Sequence, residues 1–395
     1  MIEPLGDGGI AHYSFNLLNA LCKKSEEVQL VTAKEYEFNN KKPISFNVSN
    51  KMFRIASYLS KKISWFNKET KIPSIVRRII KLIEYPINII EILYATISKN
   101  VDIVHLQSVN LVEIIAVIGF RLINRKVVFT IHNVMPRHQK LYFYHKFLYR
   151  VMYSFCHEVI IHSEKGKEEI IELYKVRHKK ISVIPHGDYK FFIPENQLSK
   201  AEAKSILGFA EEDKTILFFG AIRENKGLKN ILLAMPYIKE QIPDVRLMIV
   251  GEPLENYNSY KDIIDEKQIR NEVFEKLDYV PNEEVALYFF AGDIVVLPYH
   301  EITQSGILQI AYAFAKPVVA TDLGGFREAI ENGQNGYLVP LNDIQSLAER
   351  CVEILTDKEK LKRMGEYSRC LSDTRFSWDS IADKTIEVYK KCMAE

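Results

Sequence analysis

Short apolar runs rich in β-branched residues alternate with amphipathic stretches along this chain, and the alternation occurs twice. In the first half VQLVTA (28–33), DIVHLQ (102–107), KVVFTIH (126–132), EVIIHS (158–163) and ISVIPHG (181–187) read as short buried strands. In the second half TILFFGA (215–221), RLMIVGE (246–252), DIVVLPY (293–299), KPVVATD (316–322) and GYLVP (336–340) repeat the rhythm. Strands that alternate with helices build parallel sheets covered on both faces, because each crossover lays a helix against one side. With 395 residues the chain can bury two cores rather than one. A proline followed by polar residues in PENQLSKAEAKSILG (194–208) marks the junction. The expected fold is α/β, two doubly wound parallel-sheet domains facing each other across a cleft.

Composition removes several classes of function. The five cysteines, Cys22, Cys156, Cys351, Cys370 and Cys392, are scattered and form no Cys-x-x-Cys pair. Neither a disulfide framework nor a zinc site is expected, and a reducing cytosol fits. The longest apolar run, LVEIIAVIGFRLI (111–123), contains Glu113 and Arg121 and falls short of the roughly 20 residues that span a bilayer. The first residues run into acids and glycines, so no signal peptide is expected.

Charge is divided unevenly. Residues 1–195 hold 29 Lys/Arg against 18 Asp/Glu, a net +11, whereas residues 196–395 hold 24 against 33, a net −9. The excess concentrates in 51–100, where ten Lys/Arg face three Glu among Phe53, Tyr58, Trp65 and Phe66. In IPSIVRRIIKLIEYP, Pro73 suits a helix start, Ile75, Ile79 and Ile83 share a stripe, and Arg77, Arg78 and Lys81 lie off it. Two readings stay open: a surface helix whose apolar stripe is core, or a basic interfacial helix that touches anionic lipid. No nucleic-acid motif accompanies the stretch, and no nucleic-acid partner is expected.

In doubly wound sheets ligands bind beyond the carboxyl ends of the strands, so the turns there carry the chemistry. GDGGIAHYSFNLLNAL places Gly6, Gly8 and Gly9 before a helix, where bare backbone N–H groups can meet a phosphate. FFGAIRENKGL sets Arg223 and Lys226 beside the start of another helix, two cations suited to a diphosphate. TDLGGFREAI brings Gly324 and Gly325 to a third helix start, and TIHNVMPR and IPHGDY end strands on His132 and His186. YHEITQSGILQIAYAF puts Glu301, two amides and a glycine before an apolar helix. Each has a bland alternative: solvated lysines, a structural histidine, an exposed loop acid.

Taken together and in this order, the pieces resemble glycosyltransferase family 4 (group 1), retaining nucleotide-sugar-dependent enzymes of the GT-B fold. The likeness rests on GGIAHYSFNLLNAL, VIPHGDY, FFGAIRENKGL, RLMIVGEP, KPVVATDLGGFREAIENGQNGYLVP and FSWDSIADKTIEVY, and covers nearly the whole chain. It implies an acceptor-side domain over 1–193, a donor domain over 194–376, and a last helix within 377–395 that crosses back to the first domain. By the same resemblance Gly8, Gly9, Gly220, Gly251, Glu252, Ser305, Gly306, Ile307, Gln304 and Gln309 bind the donor. Lys226, Arg223, His132 and Glu301 act in catalysis, and His186 lies on the acceptor side.

Three departures from the family pattern matter. Its Glu-x7-Glu pair falls on Ile302 and Ile310 when counted without a gap from AKPVVAT, while Glu301 and Gln309 keep the spacing one residue early. Either the turn is a residue shorter and Glu301 faces the sugar, or the pair is lost and Thr303, Gln304, Ser305 and the N–H groups of Gly306 and Ile307 form the lining. The second reading is preferred, since TQSG supplies hydroxyl, amide and backbone donors. The family's arginine aligns with Ala221, so Arg223 is expected to supply the guanidinium beside Lys226. Only Met1 to Leu5 precede the glycine turn where a central strand belongs, so either the natural chain begins upstream or these residues form a strand stub.

With no Asp-x-Asp pair in the sequence, the expectation is metal-independent transfer with no cofactor beyond the donor. The leaving group would be met by Lys226, Arg223 and backbone N–H groups, in a front-face displacement that the family implies. The donor is a UDP or GDP sugar, and the acceptor a glycan or lipid-linked sugar in surface polysaccharide synthesis. A cytoplasmic chain, peripheral at the inner membrane face through 51–100, fits that role. The alternatives are a degenerate relative that binds nucleotide or a partner without transfer, and a nucleotide-sugar epimerase of the same fold.

Overall fold

The computed structural model describes residues 1–24, 27–39, 45–59, 74–108, 111–134, 143–302 and 305–394, with only the backbone of Ser74, Ile75, Arg77 and Arg78. Trp65 and Phe66 lie outside these residues. The chain divides into two compact units, Met1–His186 with Trp378–Glu395, and Gly187–Ser377. Residues 187–193, expected in the first domain, belong to the second. The Asp188 N–H donates to the Phe376 carbonyl at 2.8 Å, and Tyr189 is part of the second unit's core.

The first unit holds a seven-stranded parallel sheet with the order β3-β2-β1-β4-β5-β6-β7. Its strands are β1 (Ile2–Glu3), β2 (Gln29–Ala33), β3 (Asn47–Met52), β4 (Ile103–Ser108), β5 (Lys126–Ile131), β6 (Glu158–Ile161) and β7 (Ile181–Val183). The alternating direction of side chains along a strand divides the core. Val127, Phe129 and Ile131 of β5 point to one face, with Tyr85, Ile89 and Ile92 of the helix Ser74–Ser98 and Phe120 of the helix Ile114–Leu122. Val128 points to the other, with Tyr13, Leu17 and Leu21 of the helix Gly8–Lys23 and Ile381, Ala382 and Val388 of the helix Trp378–Ala394.

The expected strand stub is β1. It is two residues long, yet pairs with β2 through Ile2–Val31 and with β4 through Ile2–Leu106. Buried Glu3 would disrupt so short a strand unless satisfied. Its carboxylate accepts the N–H groups of Leu5 and Gly6 and the hydroxyl of Thr32, and the Met1 ammonium donates to the Gln29 carbonyl at 2.7 Å.

The second unit holds a six-stranded parallel sheet, β10-β9-β8-β11-β12-β13. The strands are β8 (Lys214–Phe219), β9 (Val245–Val250), β10 (Val273–Lys276), β11 (Ile294–Leu297), β12 (Val318–Thr321) and β13 (Gly336–Val339). Ile216 and Phe218 pack toward the helices Leu228–Gln241 and Ile344–Thr356, whereas Leu217 faces Val285–Ala291 and Gly306–Ala313. All ten strands read from the sequence are present. The unforeseen β3, NVSNKM, and β10, VFEK, are polar edge strands, which lack the apolar run that marks a strand buried on both faces.

Candidate functional site

The order of the second sheet reverses between β8 and β11, since β9 and β10 lie on one side of β8 and β11 to β13 on the other. At such a reversal the connecting turns diverge and leave a crevice at the strand ends. The turns that follow β8, β9 and β11 meet there. Gly220 and Gly251 end β8 and β9 so closely that a methyl on Gly251 would sit 2.1 Å from the Gly220 carbonyl oxygen. A methyl on Gly220 would touch Ile307 at 3.6 Å. Glu252, next to Gly251, is exposed, and its carbonyl accepts the Ile222 N–H.

Arg223 is half-buried, with extended backbone, and leads into the helical turn Glu224–Lys226. Gly227 then adopts φ +67° and starts the helix Leu228–Gln241. The turn is stitched to the end of β11. The His300 N–H donates to the Asn225 carbonyl at 2.9 Å, and Asn225 Nδ2 donates to Glu301 Oε1 at 3.1 Å. The Lys226 ammonium lies 3.8 Å from the centroid of the buried Tyr299 ring, whose face attracts a cation. Glu301 is exposed, and among the described residues His300 Nε2 and Asn225 Oδ1 are buried without a hydrogen-bond partner.

The helix Gly306–Ala313 begins beside this turn. Ser305 caps it, its hydroxyl accepting the Leu308 N–H at 3.3 Å. A methyl on Gly306 would stand 3.2 Å from the Tyr189 hydroxyl. Gln309 is buried, and its Oε1 has no partner among the described residues. Ile302 and Ile310, the positions reached by ungapped counting, pack into the apolar core, while one residue earlier Glu301 is exposed and Gln309 is buried. Gln304 and Thr303 lie outside the described residues. The glycines Gly324 and Gly325 begin the short helix Gly324–Arg327, where Arg327 pairs with Asp322.

In the first unit the strand ends carry a line of polar side chains. His105 Nδ1 is 2.7 Å from the Tyr389 hydroxyl, and its Nε2 is 2.6 Å from Thr130 Oγ1 and 3.2 Å from Gln107 Nε2. Gln107 Oε1 is 2.7 Å from His132 Nε2, His132 Nδ1 is 3.2 Å from His162 Nε2, and His162 Nδ1 donates to the Ile184 carbonyl at 2.9 Å. The ring of Tyr13 stands among His132, His162, His186 and Trp378 at centroid distances of 5.0 to 5.2 Å. Its hydroxyl is buried without a partner among the described residues. Burial holds His105 and His162 down at about 3, and burial with the neighbouring imidazoles holds His132 well below the ordinary histidine range.

The glycine turn after β1 is ordered from within. The Gly8 N–H donates to Glu37 Oε2 at 3.2 Å while Glu37 Oε1 meets His12 Nε2 at 3.1 Å, so this amide already has an anion. Gly9 is the second residue of the helix Gly8–Lys23 and is exposed.

The structure thus gathers Gly220, Gly251, Ile307, Lys226, Glu301, Ser305 and Gly306 at one sheet reversal, and His132 and His186 around Tyr13. Sequence reading missed His105, Gln107, His162, Tyr13, Asn225 and His300. A signal existed for His162: TIH, IIH and IPH end successive strands, so three histidines share one edge of the sheet. The others are ordinary residues until the chain is folded.

Two family descriptions match the chain, "Glycosyl transferases group 1" over residues 199–370 and "Glycosyltransferase Family 4" over residues 7–187. The chain is 28% identical over 239 residues to a D-inositol 3-phosphate glycosyltransferase of Corynebacterium urealyticum, covering 59% of this chain and 56% of that protein. It is 28% identical over 229 residues to spore coat protein SA of Bacillus subtilis, covering 54% and 59%. The matched stretch therefore spans a little over half the length of these relatives. Among solved structures, a UDP complex of Anabaena HepE superposes with a TM-score of 0.72 at 17% identity, over 99% of this chain and 98% of that one. Sucrose-phosphate synthase of Thermosynechococcus elongatus gives 0.71 at 19%, over 100% and 98%. These two likenesses concern the fold.

Proposed function

The chain belongs to glycosyltransferase family 4, the group 1 glycosyl transferases, and from that premise we propose that it transfers a sugar from a nucleoside diphosphate to a glycan or lipid-linked acceptor. The observation that carries the reading is the convergence at the β8/β11 reversal: Lys226 and the N-terminus of the helix Gly306–Ala313 meet at the strand ends beside the close-packed Gly220 and Gly251. A cation and outward backbone N–H groups suit a diphosphate, and they act in the transition state as the leaving phosphate gains charge. In this proposal Lys226 and Arg223 hold the diphosphate, with Gly306 and Ile307 supplying N–H groups. The amide of Gln309 and the carboxylate of Glu301 face the glycosyl part.

His132 takes the acceptor side, with His186 nearby. Retention of configuration and independence from metal belong to the proposal. The first follows the family, and the second rests on the lack of an Asp-x-Asp pair in the sequence. UDP is the first donor nucleotide to try, since the structurally similar Anabaena HepE is solved in complex with UDP and with UDP-glucose. A cytoplasmic setting for surface-polysaccharide or glycoconjugate synthesis completes the reading.

A second reading has its own observation. Glu301 is engaged by Asn225, and the residue that keeps the spacing of the family's second carboxylate, one position early, is an amide, Gln309, which suits a protein that keeps nucleotide but no longer transfers.

The deciding experiment is the unfolding temperature with UDP, GDP and their sugar conjugates, each with and without chelator, followed by product analysis with candidate acceptors. A ligand confined to the folded state stabilises it by about 2.7 kcal/mol at a hundredfold excess over its Kd. A selective, chelator-insensitive shift with glycan product supports transfer. A shift without product on any acceptor favours the second reading, and no shift with any nucleotide counts against both.

A further inference from the structure

The first turn of the helix Gly306–Ala313 has a neighbour that the sequence motifs do not announce. A methyl on Gly306 would meet, as its three nearest atoms, the hydroxyl oxygen, Cζ and Cε2 of Tyr189 at 3.2, 3.5 and 3.7 Å. In a helix the Cα–Cβ bond tilts toward the N-terminus, so the phenol end of Tyr189 lies beside the first turn, toward its open end. The N–H groups of Gly306 and Ile307 stand at that end, where no helical carbonyl can accept them, and the Leu308 N–H is already bonded to the Ser305 hydroxyl. The Tyr189 ring is held from behind. It is 9% exposed, stacks on Phe192 at 5.8 Å with an interplanar angle of 5°, and lies 5.2 Å from Phe191. The Phe192 N–H donates to the Tyr189 carbonyl at 3.1 Å, and the preceding Asp188 is bonded to Phe376, so the backbone is anchored on both sides of the ring.

Two features separate this contact from ordinary core packing. The hydroxyl itself, not only the ring, crowds the space that a side chain at position 306 would need, and glycine stands there. Gln309, one turn on from Gly306 and on the same side of the helix, is 5% exposed, and its Oε1 has no hydrogen-bond partner among the described residues. Its side chain leans back toward the helix start. A buried carboxamide oxygen without a donor is costly, so a hydroxyl or N–H from outside the described residues completes this end of the helix. Burial pushes the Tyr189 phenol above its ordinary range, so it keeps its proton and can donate at neutral pH. The helix start therefore offers donors from Tyr189, Gly306 and Ile307 next to one acceptor, Gln309. A glycosyl phosphate is the complement, an anion joined to a ring that carries hydroxyls.

We propose that the Tyr189 hydroxyl is a donor-binding group that gives a hydrogen bond to the sugar-bearing phosphate of a nucleoside diphosphate seated at the start of the helix Gly306–Ala313. It rests on the transfer reading above and adds to it a residue that recognises the leaving phosphate. No proton is transferred, and the hydrogen bond strengthens as the departing phosphate gains charge. The test is calorimetric titration of UDP and GDP, each beside its monophosphate, into wild type and the Tyr189→Phe and Lys226→Met variants. Tyr189→Phe keeps the ring and its stack on Phe192, so the unfolding temperature without nucleotide should stay near that of wild type. The diphosphate should bind at least about tenfold more weakly, the worth of one hydrogen bond to a charged group, while the monophosphate, which lacks the sugar-bearing phosphate, binds both proteins alike. A ring that only packs gives a lower unfolding temperature with diphosphate affinity intact, and that result overturns the proposal, as does an equal loss for monophosphate and diphosphate. If Tyr189→Phe misfolds, Gly306→Ala repeats the test, because its methyl leaves the helix N–H groups in place and displaces the hydroxyl. Diphosphate affinity at the wild-type level in Gly306→Ala also overturns the proposal. Wild type that binds no nucleotide removes the transfer reading and this one together, whereas binding weakened by Lys226→Met but not by Tyr189→Phe removes this one alone.

Discussion

His132 Nδ1 and His162 Nε2 lie 3.2 Å apart, and the atoms on their far sides determine what that contact can be. His162 Nδ1 must donate to the Ile184 carbonyl, and His132 Nε2 must donate when it faces Gln107 Oε1. A third proton between the rings then gives the pair one positive charge. Turning the Gln107 amide over presents its NH2 group to His132 Nε2 instead. His132 then donates through Nδ1 to His162, and both rings are neutral. Burial favours the neutral arrangement, so the amide orientation and the charge of the pair are coupled.

Gln107→Glu should shift that balance. A carboxylate facing His132 Nε2 accepts only, so it stabilises the charged pair. The expected outcome is a rise of at least one unit in the pair's apparent pKa, read by 15N imidazole chemical shifts across a pH titration. An unchanged titration would show that Gln107 does not govern the pair.

Stability should respond to pH in two opposed ways. His105 and His162 are held near 3 in the fold against about 6.5 unfolded, so the unfolded chain binds their protons first and stability is lost as pH falls from about 6.5 toward 3. Glu113, pushed up by burial to about 7 from 4.5, does the reverse: its contribution is complete below 4.5 and is lost as pH rises through 7. Glu3, also raised by burial to about 7, adds to the second effect. Between pH 5 and 7 the two sets offset each other. Glu113→Gln, which mimics the neutral acid, should therefore raise stability at pH 8 relative to pH 5 by about 2 kcal/mol compared with wild type, measured by denaturant melts.

Gly227 should be the least replaceable glycine of the Lys226 turn. It adopts φ +67°, and a methyl there would stand 1.8 Å from the Pro298 carbonyl oxygen. Gly227→Ala must part the turn from the end of β11, so both Lys226 and the Asn225–Glu301 contact move. A cost of about 2 kcal/mol or more is expected, with loss of the nucleotide-induced shift. Gly333→Ala is the control. It shares positive φ, at +79°, but has open space around it, and should cost about 1 kcal/mol while keeping the shift.

Lys226→Met keeps an aliphatic stem over Tyr299 and removes the ammonium. Stability should change by less than about 1 kcal/mol, whereas kcat/KM for transfer should fall about 10-fold to 100-fold, the worth of one charge-assisted hydrogen bond. Equal turnover in the variant would remove Lys226 from the diphosphate site.

Much of this molecule is written locally. Ten strands were legible because a strand buried on both faces needs a continuous apolar run, and Gly6, Gly8, Gly220 and Gly251 were legible because each takes a positive φ that glycine adopts without strain. The polar strands β3 and β10 were illegible, since each borrows its place from one neighbour at a sheet edge. The residues proposed to meet the donor, Lys226, Ser305, Gly306 and Gln309, sit in motifs whose spacing survives in one dimension. What they meet does not. That Gln107 reaches His132, that Asn225 reaches Glu301, and that Gly227 leaves room for Pro298 are facts about residues between 25 and 76 positions apart. The same division governs the helix Ser74–Ser98: its period showed an apolar stripe, and only packing revealed that Tyr85, Ile89 and Ile92 face the core while Ile83 and Ile90 face outward. Periodicity records which side chains share a side of a helix or strand. Which side is buried depends on what the rest of the chain brings against it, and that is set by tertiary structure alone.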